Sequence, residues 1–189
     1  MPKRYFELEQ DLYIPGRWYP GSPVDEQGQE ADVWMFRHGE PVVLPTRLRV
    51  PLYRPGKPVD FSTTSIGATP LLHPRVASVF AELAPDDMQL FPVEVEGQPE
   101  PYFLLNVTRM MKCIDDNACE EVLYWKPADG RPDKTGKYRN VVGLRIAKSL
   151  VGDVKVFRTW GWTIALIVSE DLKEALDRTG ATGMKFTEV

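Results

Sequence analysis

VKVFRTWGWTIALIVSEDLKEALDRTGATGMKFTEV, residues 154–189, is the stretch that decides the fold. Its apolar residues open a strand near 154–157 and form a second strand over 164–168. A helix should follow the second strand, and the alternation in residues 182–186 is typical of a short terminal strand. The stretch therefore predicts the order strand, strand, helix, strand, and it contains no recognisable catalytic group.

The predicted helix in this stretch has a start signal, an apolar face and a stop signal. Ser169 can cap the free backbone N–H groups at its beginning. Leu172, Ala175 and Leu176 recur at the spacing of one helix face. Gly180 stands where a helix needs a left-handed residue to end. This helix should pack by its apolar face rather than carry chemistry.

Composition places the chain among ordinary globular proteins. Its 189 residues are 43% hydrophobic and 26% charged, enough for one domain with a sizeable core. We expect a single domain over residues 1–189. Nine of the 17 prolines precede Phe61, and proline is excluded from helix interiors and central strands. Residues 1–60 should be a proline-rich region of strands and loops, with the core in residues 61–189.

Apolar periodicity and turn residues locate the remaining elements. Helical spacing of Val76, Val79, Phe80 and Leu83 predicts a helix over residues 74–83. A long hairpin is predicted from two runs separated by a turn-forming segment. The predicted strands are residues 5–8, 32–36, 42–44, 90–95, 102–107, 121–125 and 141–146. Because strands and helices do not alternate regularly, the predicted class is α+β, mostly antiparallel sheet with two or three helices.

Charge and hydropathy exclude several classes of partner. The net charge of -4 and the pI of about 5.3 oppose binding to nucleic acid, which needs clustered Lys and Arg. The longest strongly apolar run, residues 164–168, is far shorter than a membrane span. The N-terminus lacks the apolar segment of a secretory signal, so we expect a cytoplasmic protein with Cys113 and Cys119 as free thiols.

Candidate catalytic groups are few. The chain has two histidines, and neither lies in a local catalytic motif. Apolar Met110 and Met111 precede Cys113, which favours a buried, inert thiol. One interpretation is nonetheless a small-molecule-binding or hydrolytic enzyme, whose candidate groups are His73, Cys113, Asp115 and Asp116. That enzyme would need two of these groups within about 3 Å of each other.

Metal and cofactor motifs are not matched. Cys113 and Cys119 have the wrong spacing and number for a structural zinc site. The acidic residues near them lack the alternating ligands and central glycine of a calcium loop. Residues 130–137 contain two glycines and two lysines, but not in the order of a phosphate-binding loop. We therefore expect no cofactor and no metal.

An acidic segment is one candidate for a contact with a partner. Asp115, Asp116, Glu120 and Glu121 lie between Lys112 and Lys126. Such a segment is either a solvated turn or a docking surface for a basic partner.

The segment Arg158-Thr159-Trp160-Gly161-Trp162 is the second candidate. It places two indoles beside a glycine between two predicted strands, so at least one indole should lie near a hairpin tip. Trp and Arg are enriched at binding hot spots, which makes Arg158, Trp160 and Trp162 the best local candidates for a protein contact. Packing of these residues in the core is the alternative.

The order of several short motifs resembles the eleventh numbered family of bacterial polymorphic-toxin immunity proteins. The resemblance covers about residues 61–189, and its strongest part is the C-terminal stretch. There a Phe-Arg strand, a Ser-capped helix and a Thr-Gly-x-x-Phe ending come in that order. The family often carries a Ser at the start of its middle helix, where this chain has His73. The motifs are Pro70-Leu71-Leu72, Phe91-Pro92-Val93, Tyr102-Phe103-Leu104-Leu105-Asn106, Asp115, Val156-Phe157-Arg158, Ile167-Val168-Ser169 and Thr182-Gly183-Met184-Lys185-Phe186.

The resemblance implies a cytosolic protein that binds and neutralises a cognate toxin, encoded by an adjacent gene. It implies inhibition by surface complementarity, with no catalysis. The family does not fix which residues bind, and the residues leave open whether the chain forms a homodimer.

Overall fold

Two five-stranded sheets form the frame of the computed structural model, which describes residues 3–189. The first two residues of the predicted 1–189 domain lie outside the described part. The α-helices are α1 (Pro74–Leu83) and α2 (Glu170–Arg178). In chain order the strands are β1 (Tyr5–Gln10), β2 (Tyr19–Pro20), β3 (Arg49–Val50), β4 (Leu52–Arg54), β5 (Phe61–Thr63), β6 (Pro70–Leu72), β7 (Met88–Val95), β8 (Tyr102–Val107), β9 (Met110–Met111), β10 (Glu121–Tyr124), β11 (Tyr138–Val142), β12 (Val156–Thr159), β13 (Trp162–Ser169) and β14 (Met184–Glu188).

The C-terminal stretch builds most of the first sheet, whose strand order is β14-β1-β13-β12-β9. Strand β1 from the proline-rich region lies between β13 and β14 and pairs with both in antiparallel register. The short edge strand β9 runs parallel to its neighbour, β12. The predicted strand, strand, helix, strand order is confirmed, and its sheet is completed by the first strand of the chain.

The second sheet has the order β3-β7-β8-β6-β5 and contains the predicted long hairpin, β7 with β8. Two small antiparallel pairs, β2 with β4 and β10 with β11, lie outside the large sheets. The prediction for residues 141–146 is correct only in part. That strand is β11, which ends at Val142, while Ile146 forms an isolated bridge with Ile114. The α+β class, mostly antiparallel sheet, is confirmed.

Both helices bury one face in a core shared with the two sheets. Val76 and Phe80 of α1 and Leu172 and Leu176 of α2 are fully buried in one apolar cluster. Burying each such side chain contributes about 1.5–3 kcal/mol. None of the helices in residues 3–189 is long and apolar enough to cross a membrane.

Two predicted strands of the proline-rich region are wrong. Residues 32–36 fall largely in a 3₁₀ helix, Val33–Arg37, because the Asp32 carboxylate accepts the backbone N–H of Trp34 and starts a turn. Residues 42–44 join no sheet. The backbone N–H of Val42 donates to Oε1 of Gln89 at 2.8 Å, and Nε2 of Gln89 donates to the carbonyl of Val42 at 3.2 Å. This side chain therefore replaces a neighbouring strand as the partner of Val42. The local bond of Asp32 belongs to a kind that competes with a strand ladder.

The helix ends were predicted correctly in position but not in every contact. Ser169 occupies the position before α2, yet its hydroxyl donates to the Asp171 carboxylate and caps no backbone N–H. Gly180 follows the helix with a φ of +65°, as predicted for a helix stop. At α1, His73 takes the capping role, because its Nδ1 accepts the N–H of Arg75 at 3.1 Å.

Candidate functional site

The hairpin of β12 and β13 carries a large bulge at its tip. Arg158 pairs with Leu166, while the next residue, Thr159, pairs with Trp162. Residues 163–165 therefore have no counterpart on β12, and the strand must bend around them. Gly161 adopts a φ of +79° at the turn between Trp160 and Trp162. The bulge and the turn together place both indoles at the end of the sheet.

Arg158 lies beneath this tip and not on the surface. Its exposed fraction is 1%, so the prediction that it touches a partner directly is corrected. Its Nη1 donates to the carbonyl oxygens of Thr163 at 2.9 Å and Ile164 at 3.4 Å. These carbonyls have no strand partner because of the bulge, and a guanidinium can satisfy several acceptors at once. Arg158 is therefore a positioning residue for the hairpin tip.

Trp160 and Trp162 line a cleft of about 640 Å³, which we call the tryptophan cleft. Its walls come from the 3₁₀ helix at Val33–Arg37, the β10–β11 hairpin and the β12–β13 hairpin. The two hairpins are joined where the N–H of Tyr138 donates to the carbonyl of Gly161 at 3.2 Å. The other residues that line the tryptophan cleft are Trp34, Arg37, His38, Met110, Trp125, Asp133, Lys134, Lys137, Tyr138, Arg139, Gly161, Thr163 and Ile164.

Four of the five tryptophans of the chain lie in this cleft. The fifth, Trp18, is a core residue that is fully buried, and its indole N–H donates to Ser62 at 3.0 Å. In contrast, Trp34 is 56% exposed and Trp160 is 39% exposed. Trp162 is half-buried. Core packing therefore accounts for Trp18 and leaves the cleft indoles with solvent-facing surface.

The tryptophan cleft is basic although the chain as a whole is acidic. Within residues 3–189, four cationic side chains line it against one carboxylate, that of Asp133. The Nζ of Lys134 lies 5.0 Å from the ring centroid of Trp125, and the Cζ of Arg139 lies 5.2 Å from the same ring. The Nζ of Lys112 lies 4.8 Å from the ring of Trp160. These distances fit cation–π contacts, which hold the cations against the indole faces.

The predicted acidic segment is divided between internal bonding and solvent. Asp115 accepts the backbone N–H groups of Asn117 and Ala118 at 3.2 Å each, so its carboxylate closes a turn. The carboxylate of Asp116 accepts the hydroxyls of Tyr124 and Tyr138.

Glu120 and Glu121 are exposed. The segment thus touches the tryptophan cleft through Asp116 and Tyr138.

The structure does not bring the candidate catalytic groups together. His73 caps α1, stacks edge-on against Tyr102 at 5.4 Å, and has its Nδ1 3.8 Å from the Asp60 carboxylate. Cys113 is buried in an apolar cluster, where burial raises the pKa of its thiol to about 11. No hydrogen bond or ion pair within residues 3–189 joins His73, Cys113 and Asp116. The described part of the chain also contains no cluster of three His, Cys, Asp or Glu side chains suited to a metal.

Sequence reasoning missed the Trp34 and Trp125 walls of the cleft. Arg37 follows Trp34 and Lys126 follows Trp125, but Arg17 adjoins the core residue Trp18 as well, so a nearby cation does not mark the cleft. Nothing local in the sequence shows that these segments meet, since Trp34 and Trp160 are far apart along the chain.

The sequence of this chain matches the model of one known protein family. The model of the immunity protein family (Imm11) matches residues 2–189. The chain belongs to the Imm11 family. No curated protein matches it. The Imm11 match extends beyond the resemblance seen in residues 61–189 and includes the proline-rich region, which fits the position of β1 inside the first sheet. An immunity family points to toxin neutralisation as the general function.

Proposed function

We propose that this Imm11 protein binds a cognate bacterial toxin in the cytosol and neutralises it by a direct contact at the tryptophan cleft. The observation that carries the proposal is the gathering of four tryptophans in one basic cleft, from three separate segments. The family match supports the toxin as the partner. We expect that toxin to be encoded beside this chain, as is implied by the resemblance to polymorphic-toxin immunity proteins.

Exposed indoles are suited to such a contact. Trp and Arg side chains contribute disproportionately to binding free energy, and Trp buries a large rigid area at low entropic cost. Trp34 and Trp160 present exposed ring surface, and Lys134 and Arg139 flank Trp125. A partner that covers the cleft would exclude water from these rings and strengthen each charged contact around them.

Charge defines the chemistry of the partner surface. The cleft is lined by Arg37, Lys134, Lys137 and Arg139, and the carboxylate of Asp133 opposes them there. The fitting toxin surface is acidic, with apolar or aromatic side chains among its carboxylates. Occlusion of that surface inhibits the toxin without any catalytic step in the immunity protein.

The exposed acidic residues Glu120 and Glu121 provide a neighbouring contact for basic groups of the same toxin. Asp115 supports this contact by closing the turn before Glu120, and Asp116 supports it by fixing the tyrosine hydroxyls that it accepts.

Co-purification with the product of the adjacent gene tests the partner, and calorimetry with single variants tests the cleft. We expect Trp34→Ala and Trp160→Ala each to weaken toxin binding by about tenfold or more. Tyr53→Ala is the matched control, because Tyr53 is 81% exposed on β4, outside the cleft. No complex with the neighbouring gene product would refute the partner, and equal effects of all three variants would refute the cleft.

A further inference from the structure

Strands β1 and β13 separate after a short paired segment. They pair only where Tyr5, Phe6 and Glu7 face Ser169, Val168 and Ile167. Beyond this point a second cleft of about 430 Å³ opens between the end of β1 and the start of β13. We call it the split-sheet cleft. Its apolar lining includes Leu8, Phe61 and Leu166, and Arg158 is among its lining residues.

Arg158 has donors that nothing in the described chain satisfies. Its Nη1 donates to the bulge carbonyls, whereas its Nε and Nη2 have no hydrogen-bond partner within residues 3–189. Buried donors without partners are rare and costly, and a charged group is the costliest case. The Nε and Nη2 groups form one edge of the guanidinium, which is the edge that holds a carboxylate by two parallel hydrogen bonds.

No carboxylate of residues 3–189 lies within ion-pair distance of Arg158. Glu7 borders the same cleft, but it pairs with Ile167 while Arg158 pairs with Leu166, and successive residues of a strand face opposite sides of the sheet. The charge felt at Arg158 is that of another cation, Arg37. Burial first, and then Arg37, lowers the pKa of Arg158 below its ordinary value.

The loop that borders this cleft is strained. Ala68 has a φ of +45°, an unusual conformation for a residue with a side chain, and it follows Gly67 at +71°. Ala68 lines the cleft, and the carbonyl of Gly67 accepts Nε of Arg37 at 2.8 Å. Strain of this kind persists where surrounding contacts enforce it, which is common at ligand sites.

We propose that the split-sheet cleft binds a small carboxylate, held by the Nε and Nη2 groups of Arg158 with its apolar part against Leu8 and Leu166. A carboxylate is planar and matches the guanidinium edge, and the apolar walls suit a short hydrocarbon chain. The bound anion would also offset one of the two positive charges of Arg158 and Arg37. This site goes beyond the proposed toxin contact, because the free immunity protein would bind the ligand without a toxin.

Nitrogen-15 NMR of the arginine Nε–Hε groups tests the proposal on the unmodified protein. The Arg158 resonance is assigned through its cross-strand neighbour Leu166. Titration with sodium butyrate should move this resonance to a saturating value, and sodium chloride at the same ionic strength should not. No shift, or an equal unsaturated drift with both salts, would overturn the proposal.

Thermal unfolding gives a second readout. Butyrate at about ten times its half-saturating concentration should raise the unfolding midpoint by about 3–6 °C over chloride. Arg158→Lys keeps the charge but lacks the fork, so its midpoint should not respond. Arg109→Lys, an exposed arginine paired with Asp87, is the control and should respond as the unmodified protein does. If Arg158→Lys does not fold, the NMR titration decides alone, and neither measurement involves the toxin.

Discussion

The hydroxyl of Tyr138 donates a hydrogen bond of 2.5 Å to the carboxylate of Asp116. Tyr138 lines the tryptophan cleft. The hydroxyl of Tyr124 donates to the same carboxylate, and the ring centroids of Tyr124 and Tyr138 lie 4.8 Å apart. An acidic residue that was predicted to meet a partner therefore fixes a wall of the neighbouring cleft. Its contribution to binding should come through position more than through charge.

Asp116→Ala separates position from charge. Loss of the acceptor for two tyrosine hydroxyls should destabilise the fold by about 1–2 kcal/mol and weaken toxin binding several-fold. Glu120→Gln removes the same charge from an exposed side chain and should leave stability within about 0.5 kcal/mol. Calorimetry and urea unfolding measure both effects. Equal losses of binding in the two variants would favour direct acidic docking instead.

Charge reversal in the cleft should slow association with the toxin. The double variant Lys134→Glu with Lys137→Glu reverses two cations of the cleft lining, and we expect an association rate about tenfold lower. The affinity of the unmodified protein should also fall between about 50 and about 300 mM salt, because screening weakens attraction between exposed charges. Surface plasmon resonance measures both. The control is the double variant Arg47→Glu with Arg49→Glu, which changes the net charge by the same amount in a different cleft. An equal fall in the association rate of this control would contradict a local effect of the tryptophan cleft.

Glu7 should make the stability of the protein depend on pH. Burial raises the pKa of its carboxyl to about 7, with Glu9 adding to the rise and Lys185 opposing it. Between the unfolded pKa of about 4.3 and this value, the folded state holds a proton that the unfolded state has lost. The free energy of unfolding attributable to Glu7 therefore falls as the pH rises through this window.

Glu7→Gln should remove that dependence. Relative to the unmodified protein, the variant should gain about 1–2 kcal/mol more at about pH 8 than at about pH 5, after allowance for solvent screening. Urea unfolding at the two pH values measures the difference. Glu26→Gln, an exposed loop variant, should change stability equally at both. A pH-independent effect of Glu7→Gln would show that its carboxyl titrates normally.

Gly183 should tolerate no side chain. It adopts a φ of +98°, and a Cβ there would overlap the carbonyl oxygen of Phe61 on the neighbouring sheet. We expect Gly183→Ala to destabilise the fold by about 3 kcal/mol or more. Gly180→Ala is the matched control, since its φ is +65° with open space around the added carbon, and should cost about 1 kcal/mol. Urea unfolding measures the loss of stability in both variants. Equal losses would contradict the steric argument.

Local patterns predicted the elements whose periodicity and turn residues agree. Helix α1 begins and ends where the spacing of Val76 and Phe80 and the flanking prolines predict. The long hairpin was predicted because its turn lies within one continuous segment. The strand predicted at residues 32–36 failed because Asp32 bonds to a backbone N–H nearby, an interaction that residue type alone does not settle.

The sequence by itself determined the α+β class, the C-terminal order of elements and the kinship with immunity proteins. It also located two of the four cleft tryptophans, since Trp160 and Trp162 are close along the chain. Only the tertiary structure decided that Trp34 and Trp125 join them and that Arg158 is buried below them. Periodicity reports which face of an element is apolar. Contacts between segments that are distant in sequence depend on strand order and bulge geometry, which are set by packing across the whole chain.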